Sequence, residues 1–155
     1  MTADTANAPS LSIERIYIKD LSFEAPSSPQ VFLEQQAPEV HVELGITHHQ
    51  LNAEQGLHEV VLALTVNARR GDKNFFLAEA HQAGIFRISG LTGESLAKAL
   101  EIACPHVLLP FAREAVNDLV TRGGFPQLLV NPMNFEAIYE QKRIAQAQPA
   151  PATTQ

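Results

Sequence analysis

The sequence predicts an α+β fold, with an antiparallel sheet in the first half of the chain and helices in the second. Two observations carry this. Residues 11–83 contain four segments rich in β-branched and alternating apolar residues, whereas apolar residues beyond residue 92 recur at helical spacing. The strand-like and helix-like runs also stand apart instead of alternating, as crossover connections of a parallel sheet would require.

Taken in order, residues 11–24 form one long β-rich segment. In its second half Asp20, Ser22 and Glu24 share one face of an extended chain, with Leu21 and Phe23 on the other. The acidic row is either the solvent side of a half-exposed strand or a surface that receives a partner. Residues 39–46, EVHVELGI, set Val40, Val42, Leu44 and Ile46 against Glu39, His41 and Glu43. Residues 58–68 are continuous enough in β-branched residues for a central strand, and 74–83 follow a hairpin turn at Arg70-Gly71-Asp72. Gly93 to Ala103 reads as a helix with Thr92 as its cap, and Pro105 interrupts it or begins the next. Residues 106–121 place Leu108, Ala112, Ala115, Val116 and Leu119 on one side, and Gly123-Gly124 stops that helix. Asn131-Pro132 is expected to open a last helix. Residues 1–10 and 146–155 are small, polar or Pro-rich, and are expected to be disordered arms on a folded body of 11–145.

The bulk numbers limit function. The chain has 155 residues, a net charge of −6 and one cysteine. It lacks the basic stripe of a general nucleic-acid or anionic-membrane binder, while a cationic partner is permitted. A single cysteine allows no intrachain disulfide, the N-terminus has no signal-peptide pattern, and no run reaches the ~18 apolar residues of a membrane helix. A soluble cytoplasmic protein without membrane insertion is the expectation. Six histidines lack metal-ligand spacing, with His48-His49 adjacent in an expected turn, so neither metal nor cofactor is expected. Cys104-Pro105-His106 cannot readily hold a thiol against its base, so Cys104 reads as buried and structural. Gly84, Gly90 and Gly93 follow no phosphate-binding pattern, and Asp20, Glu24 and Glu79 read as surface acids of strands. Nothing argues for an enzyme.

The loop from Pro26 to Pro38 is unusual in carrying Val31, Phe32 and Leu33 in a row. These residues either tuck onto the core edge or wall a groove for apolar segments of another chain. Phe76 would then form its floor, with contributions from Val40 and Val42. The helix residues Val107, Leu108, Leu109, Phe111, Val116 and Leu119 exceed what one small sheet can cover, which predicts a closed homotetramer.

Two long motifs go further. RIYIKDLSFEAPSSPQVF, residues 15–32, and FPQLLVNPMNFEAIYEQ, residues 125–141, the latter preceded by CPHVLLPFAREAVNDLVTRGG, together resemble the SecB family of export chaperones from about residue 11 to 143. The resemblance implies a four-stranded antiparallel sheet with helices on one face, assembled as a dimer of dimers. It also implies ATP-independent holding of unfolded secretory precursors and their delivery to the SecA motor. Asp20, Glu24, Leu77 and Glu79 would then form the SecA-docking surface, with Leu77 and Glu79 on one face of their strand. Ala78 and Ala80, on the other face, would lie where the family's subunits meet. Family tails are often acidic, and the neutral, Pro-rich tail here departs from that pattern. A small hotdog-type thioesterase, or an adaptor that docks one folded partner, are the rival readings.

Overall fold

In the computed structural model, which describes residues 8–148, the polypeptide forms one four-stranded antiparallel sheet with a long helix lying across one of its faces. The strands are β1 (Ser10–Glu24), β2 (Glu39–Asn52), β3 (Leu57–Arg70) and β4 (Lys73–Ser89), in the spatial order β1-β4-β3-β2. β3 and β4 are central, and they are the most apolar of the four. A single turn of 3₁₀ helix, Gln30–Leu33, sits in the β1–β2 loop. Helix α1 (Gly93–Arg122) follows the sheet, and α2 (Phe135–Ala147) closes the described chain.

The core lies between α1 and the covered face of β3 and β4. Val60, Leu62, Leu64 and Val66 of β3 and Phe86 of β4 meet Leu108, Ala112 and Val116 of α1, all fully buried. Each Val, Leu or Phe among them contributes about 1.5–3 kcal/mol. By length and composition alone α1 could cross a membrane, contrary to the expectation from the sequence. Its stripe Leu100, Cys104, Leu108, Ala112, Val116 and Val120 is buried on the sheet, which accounts for that apolarity.

Pro105 stands in the first turn of the segment that follows an interruption of the helix, as expected. Residues Ala99–Ala103 form a π-helical turn that joins the segments Gly93–Lys98 and Cys104–Arg122. A proline cannot donate to the preceding turn and its ring crowds the carbonyl there, and the wider turn accommodates both. The last helix starts later than expected. Asn134, not Asn131, is its cap, and its side chain accepts a hydrogen bond from the Ala137 amide at 3.0 Å. α2 continues through Ala147, so residues 146 and 147 belong to a helix, and Ser10 belongs to β1. Residues 8, 9 and 148 are exposed and outside any element, and the other expected arm residues, 1–7 and 149–155, lie outside the described residues.

β2 and β4 run further than the sequence predicts, to Asn52 and Ser89. His48 and His49 are therefore successive strand residues pointing to opposite faces, not turn residues. Gly84 does not end β4. A Cβ there would meet the Phe86 ring at 2.7 Å and Ile16 at 3.2 Å, so the glycine marks a close approach inside a strand.

The structure corrects two expectations about assembly. Ala78 and Ala80 have no exposed surface. They pack within this chain's own sheet–helix core, so the small-residue contact is intramolecular and leaves nothing for another subunit to cover. Most of the helix surface expected to drive assembly is also used internally. Leu108, Leu109 and Val116 are buried, while Phe111 remains 45% exposed.

Cys104 is fully buried, and burial pushes its thiol up to about 12. A protonated thiol is a poor nucleophile. His106 points elsewhere, edge-on to Phe135 with ring centroids 6.2 Å apart. A soluble alkylating reagent at pH 8 should leave Cys104 unmodified in the native protein and modify it completely in denaturant. Rapid native modification, read by mass, would contradict the burial.

Candidate functional site

Two surfaces stand out, on opposite faces of the sheet. The first is a groove between two loops. One wall is the β1–β2 loop, with Val31, Phe32 and residues 34–38. The other is the segment Gly124–Leu128 that follows α1, and Val40, Phe75 and Phe76 lie between them around a space of about 540 Å³. The walls are pinned. The Arg70 guanidinium donates to the Ala37 carbonyl at 3.3 Å, and Lys73 is ion-paired with Glu34 at the rim. The Asn117 side chain accepts from the Leu128 amide at 3.0 Å and ties the second wall to α1.

Aromatic rings fill the end of the groove. Phe76 and Phe125 have centroids 4.9 Å apart, Phe32 and Phe125 5.3 Å, and Phe23 and Phe76 5.9 Å. The separations fit offset and tilted aromatic contacts. Gly124 has a φ of +91°, and a Cβ on it would stand 3.1 Å from Phe32, so glycine both ends α1 and leaves room for that ring. Val31 and Phe76 are buried at the groove's base, while Phe32 is 50% exposed.

Of the groove residues expected from the sequence, Val31, Phe32, Val40 and Phe76 line this space, and Leu33 and Val42 do not. Leu33 projects into solvent and Val42 is half exposed one pleat further along β2. Phe125 and Leu128 were missed. The signal that singled out Phe32 applies to them too, since GGFPQLL places large apolar residues in a segment with turn residues. The carboxylate at the groove is Glu34, held at the rim by Lys73, and no other acid or imidazole lines it among the described residues. A thioesterase needs such a group aimed into its pocket, so the geometry does not favour that rival.

The second surface is the sheet face away from α1. Here the register sets Glu24 opposite Leu77, Ser22 opposite Glu79 and Asp20 opposite His81. All four expected docking residues, Asp20, Glu24, Leu77 and Glu79, therefore fall on one open patch across two adjacent strands. Asp20, Glu24 and Leu77 are exposed and Glu79 is half-buried. Glu79 accepts from the Thr65 hydroxyl at 3.3 Å, and His81 stands 3.6 Å from it. On the next strands the patch continues into a shallow depression lined by His41, Glu43, Thr65, Asn67, Arg69 and Leu77.

Further along the same face lies a polar cluster that sequence reasoning did not single out. Glu59, 7% exposed, accepts from Lys19 Nζ at 2.8 Å and from the Tyr17 hydroxyl, with His49 Nδ1 at 3.5 Å. Burial alone would raise the Glu59 carboxyl. The hydrogen bonds from Lys19 and Tyr17 and the nearby charges outweigh burial and hold it below the ordinary range. Burial and the bond to Glu59 push the Tyr17 phenol up to about 12.

Comparison with known proteins agrees with this architecture. The family "Preprotein translocase subunit SecB" matches residues 4–146. Protein-export protein SecB of Nitrosomonas europaea is 46% identical over 142 residues, covering 90% of this chain and 87% of its own. That of Chromobacterium violaceum is 49% identical over 140 residues, covering 90% and 92%. Among solved structures, the SecB-like chaperone of Mycobacterium tuberculosis, in complex with an antitoxin peptide, superposes with a TM-score of 0.65 at 18% identity, covering 80% of this chain and 91% of that one. Family match, relatives and fold agree: this chain belongs to the SecB family of protein-export proteins.

Proposed function

We propose that the chain is an ATP-independent chaperone of the cytoplasm that holds unfolded precursor polypeptides in the groove and delivers them to SecA through the acidic sheet face. The observation that carries the client half is the groove itself. Its interior is aromatic, and Phe32 and Val40 line it while remaining 50% and 42% exposed. A partner that serves many unfolded chains must read what they share, which is exposed apolar side chains. An assay for suppressed aggregation of a chemically denatured protein tests this directly. A chaperone should act on several unrelated clients, and an adaptor for one folded partner on none.

For the motor half, an exposed acidic row attracts a cationic segment. Asp20→Ala combined with Glu24→Ala should weaken SecA binding by roughly tenfold or more at low salt, as removal of a few screened charge contacts predicts. The melting temperature should hardly move, because exposed acids contribute about 0–1 kcal/mol each. Wild-type binding should itself weaken as salt is added. Calorimetric titration with SecA decides it, and an unchanged affinity of the double variant at low salt would refute the docking assignment.

A homotetramer built as a dimer of dimers completes the proposal. Ile13, Ile18 and Leu21 lie on the helix side of the edge strand β1 yet are 51%, 44% and 44% exposed, because α1 covers mainly β3 and β4. With Phe111 they form an apolar margin suited to a second copy.

A further inference from the structure

We propose that Glu59 is a positioning residue for the docking face: it anchors the β1 bulge at Lys19, and that bulge is what turns Asp20 outward. The proposal rests on the docking role argued above for Asp20.

The register shows how the bulge works. Tyr17 opposes Ala83 and Ile18 opposes Gln82, but the next pair along β4 is Asp20 with His81, so Lys19 is an extra residue without a partner. Successive residues of a regular strand alternate faces, and Ile18 and Asp20 would then share one. Ile18 is on the helix side, opposite buried Gln82. Without the extra residue Asp20 would follow it there, and Ser22 and Glu24 after it. The acidic row faces outward only because one residue is looped out just before it.

A looped-out residue needs something to hold it. The Lys19 ammonium reaches across β4 to Glu59 on β3 at 2.8 Å, and the Tyr17 hydroxyl binds the other carboxylate oxygen. The residue opposite Tyr17 on the strand between them is Ala83, whose small side chain leaves a path over β4. Glu59 thus clamps the residue on the bulge and the residue two before it to one fixed point on a central strand. A buried carboxylate is costly unless its donors are retained, so the clamp is held on both sides.

The test uses the full-length protein in two arms. In the first, amide hydrogen exchange around residues 18–21 of Glu59→Ala should quicken by about tenfold or more, while protection in the middle of β3 stays as in wild type. In the second, SecA affinity is measured in a double-mutant cycle. Glu59→Ala should weaken binding about fivefold in the wild-type background and less than about twofold in an Asp20→Ala background, because its effect runs through Asp20. Unchanged exchange at the bulge, or an equal loss in both backgrounds, overturns the proposal. Should Asp20→Ala alone bind SecA as wild type does, the docking role falls, while faster exchange at the bulge still upholds the anchoring. Lys19→Met removes the tether and keeps the aliphatic stem, and gives the same two readouts should Glu59→Ala fail to fold.

Discussion

Replacing Phe76 by alanine should lower the unfolding free energy by about 3–5 kcal/mol, the range for deleting a buried phenylalanine from a well-packed site. Phe76 is 4% exposed, stacks on Phe23, lies tilted against Phe125, and belongs to the main core cluster. It also lines the groove, so one ring serves the fold and the site. Phe32 differs. Its ring touches Phe125 but is half exposed, so Phe32→Ala should cost the fold only about 1 kcal/mol, near the worth of an aromatic pair. The two substitutions therefore separate functions that the sequence presents as equivalent. Phe32→Ala should loosen client binding by roughly three- to tenfold, consistent with the loss of one apolar anchor, with a nearly unchanged melt. Phe76→Ala should lower the melting temperature by roughly 10 °C or more. Denaturant melts paired with client titration per folded molecule check both. Wild-type client affinity in Phe32→Ala would remove it from the site, and a wild-type melt in Phe76→Ala would show that the ring is floor alone and not core.

The fold class and the strand order along the chain follow from hydrophobic periodicity, because burying one face of each strand imposes it. The boundaries were less legible, for particular physical reasons. β2 loses its apolar alternation after Ile46, yet backbone pairing with β3 continues to Asn52, since hydrogen bonds need no apolar side chain. β4 passes through Gly84 because Phe86 and Ile16 occupy the space of a Cβ, whereas an isolated glycine in a strand usually reads as punctuation. The signal for the β1 bulges was present and unread. Leu11, Ile13, Ile16, Ile18, Leu21 and Phe23 step by two within pairs and by three between them, and their partners on β4 are Ile88, Phe86, Gly84, Gln82, Ala80 and Ala78. Each step of three is a bulge that restores the facing. That Asp20, Glu24, Leu77 and Glu79 share one sheet face was legible through the motifs and through alternation within each strand. Glu59 was not, since the two donors that hold it, Lys19 and Tyr17, lie two strands away and nothing local marks it. The groove was half legible. A loop carrying Val31-Phe32-Leu33 announces itself, but pairing it with Phe125 depends on where α1 ends, which is a tertiary fact.

Ile18→Glu combined with Leu21→Glu should break the assembly down to monomers or dimers while leaving the subunit folded. In the isolated chain both side chains are 44% exposed, so a carboxylate at either position stays hydrated and costs the fold little. At an interface the balance reverses. Burying a charge without a partner costs several kcal/mol. A two-fold interface repeats every substitution, so the pair places four carboxylates in one contact. That penalty is comparable to the whole of a micromolar association, about 8 kcal/mol. Light scattering at micromolar concentration should give a tetramer for wild type and a smaller species for the variant, and a tetrameric variant would mean that subunits meet elsewhere. The consequence for clients follows from geometry. A tetramer would present four copies of the groove, and a long unfolded chain that engaged several of them would gain roughly 10²–10⁴ in avidity over one. A short peptide fills one groove and gains nothing. The variant should therefore bind a short apolar peptide as wild type does and lose most of its affinity for a full-length unfolded chain. If both affinities fell together, the groove would depend on its neighbours for shape, and if neither fell, holding a client would need a single groove.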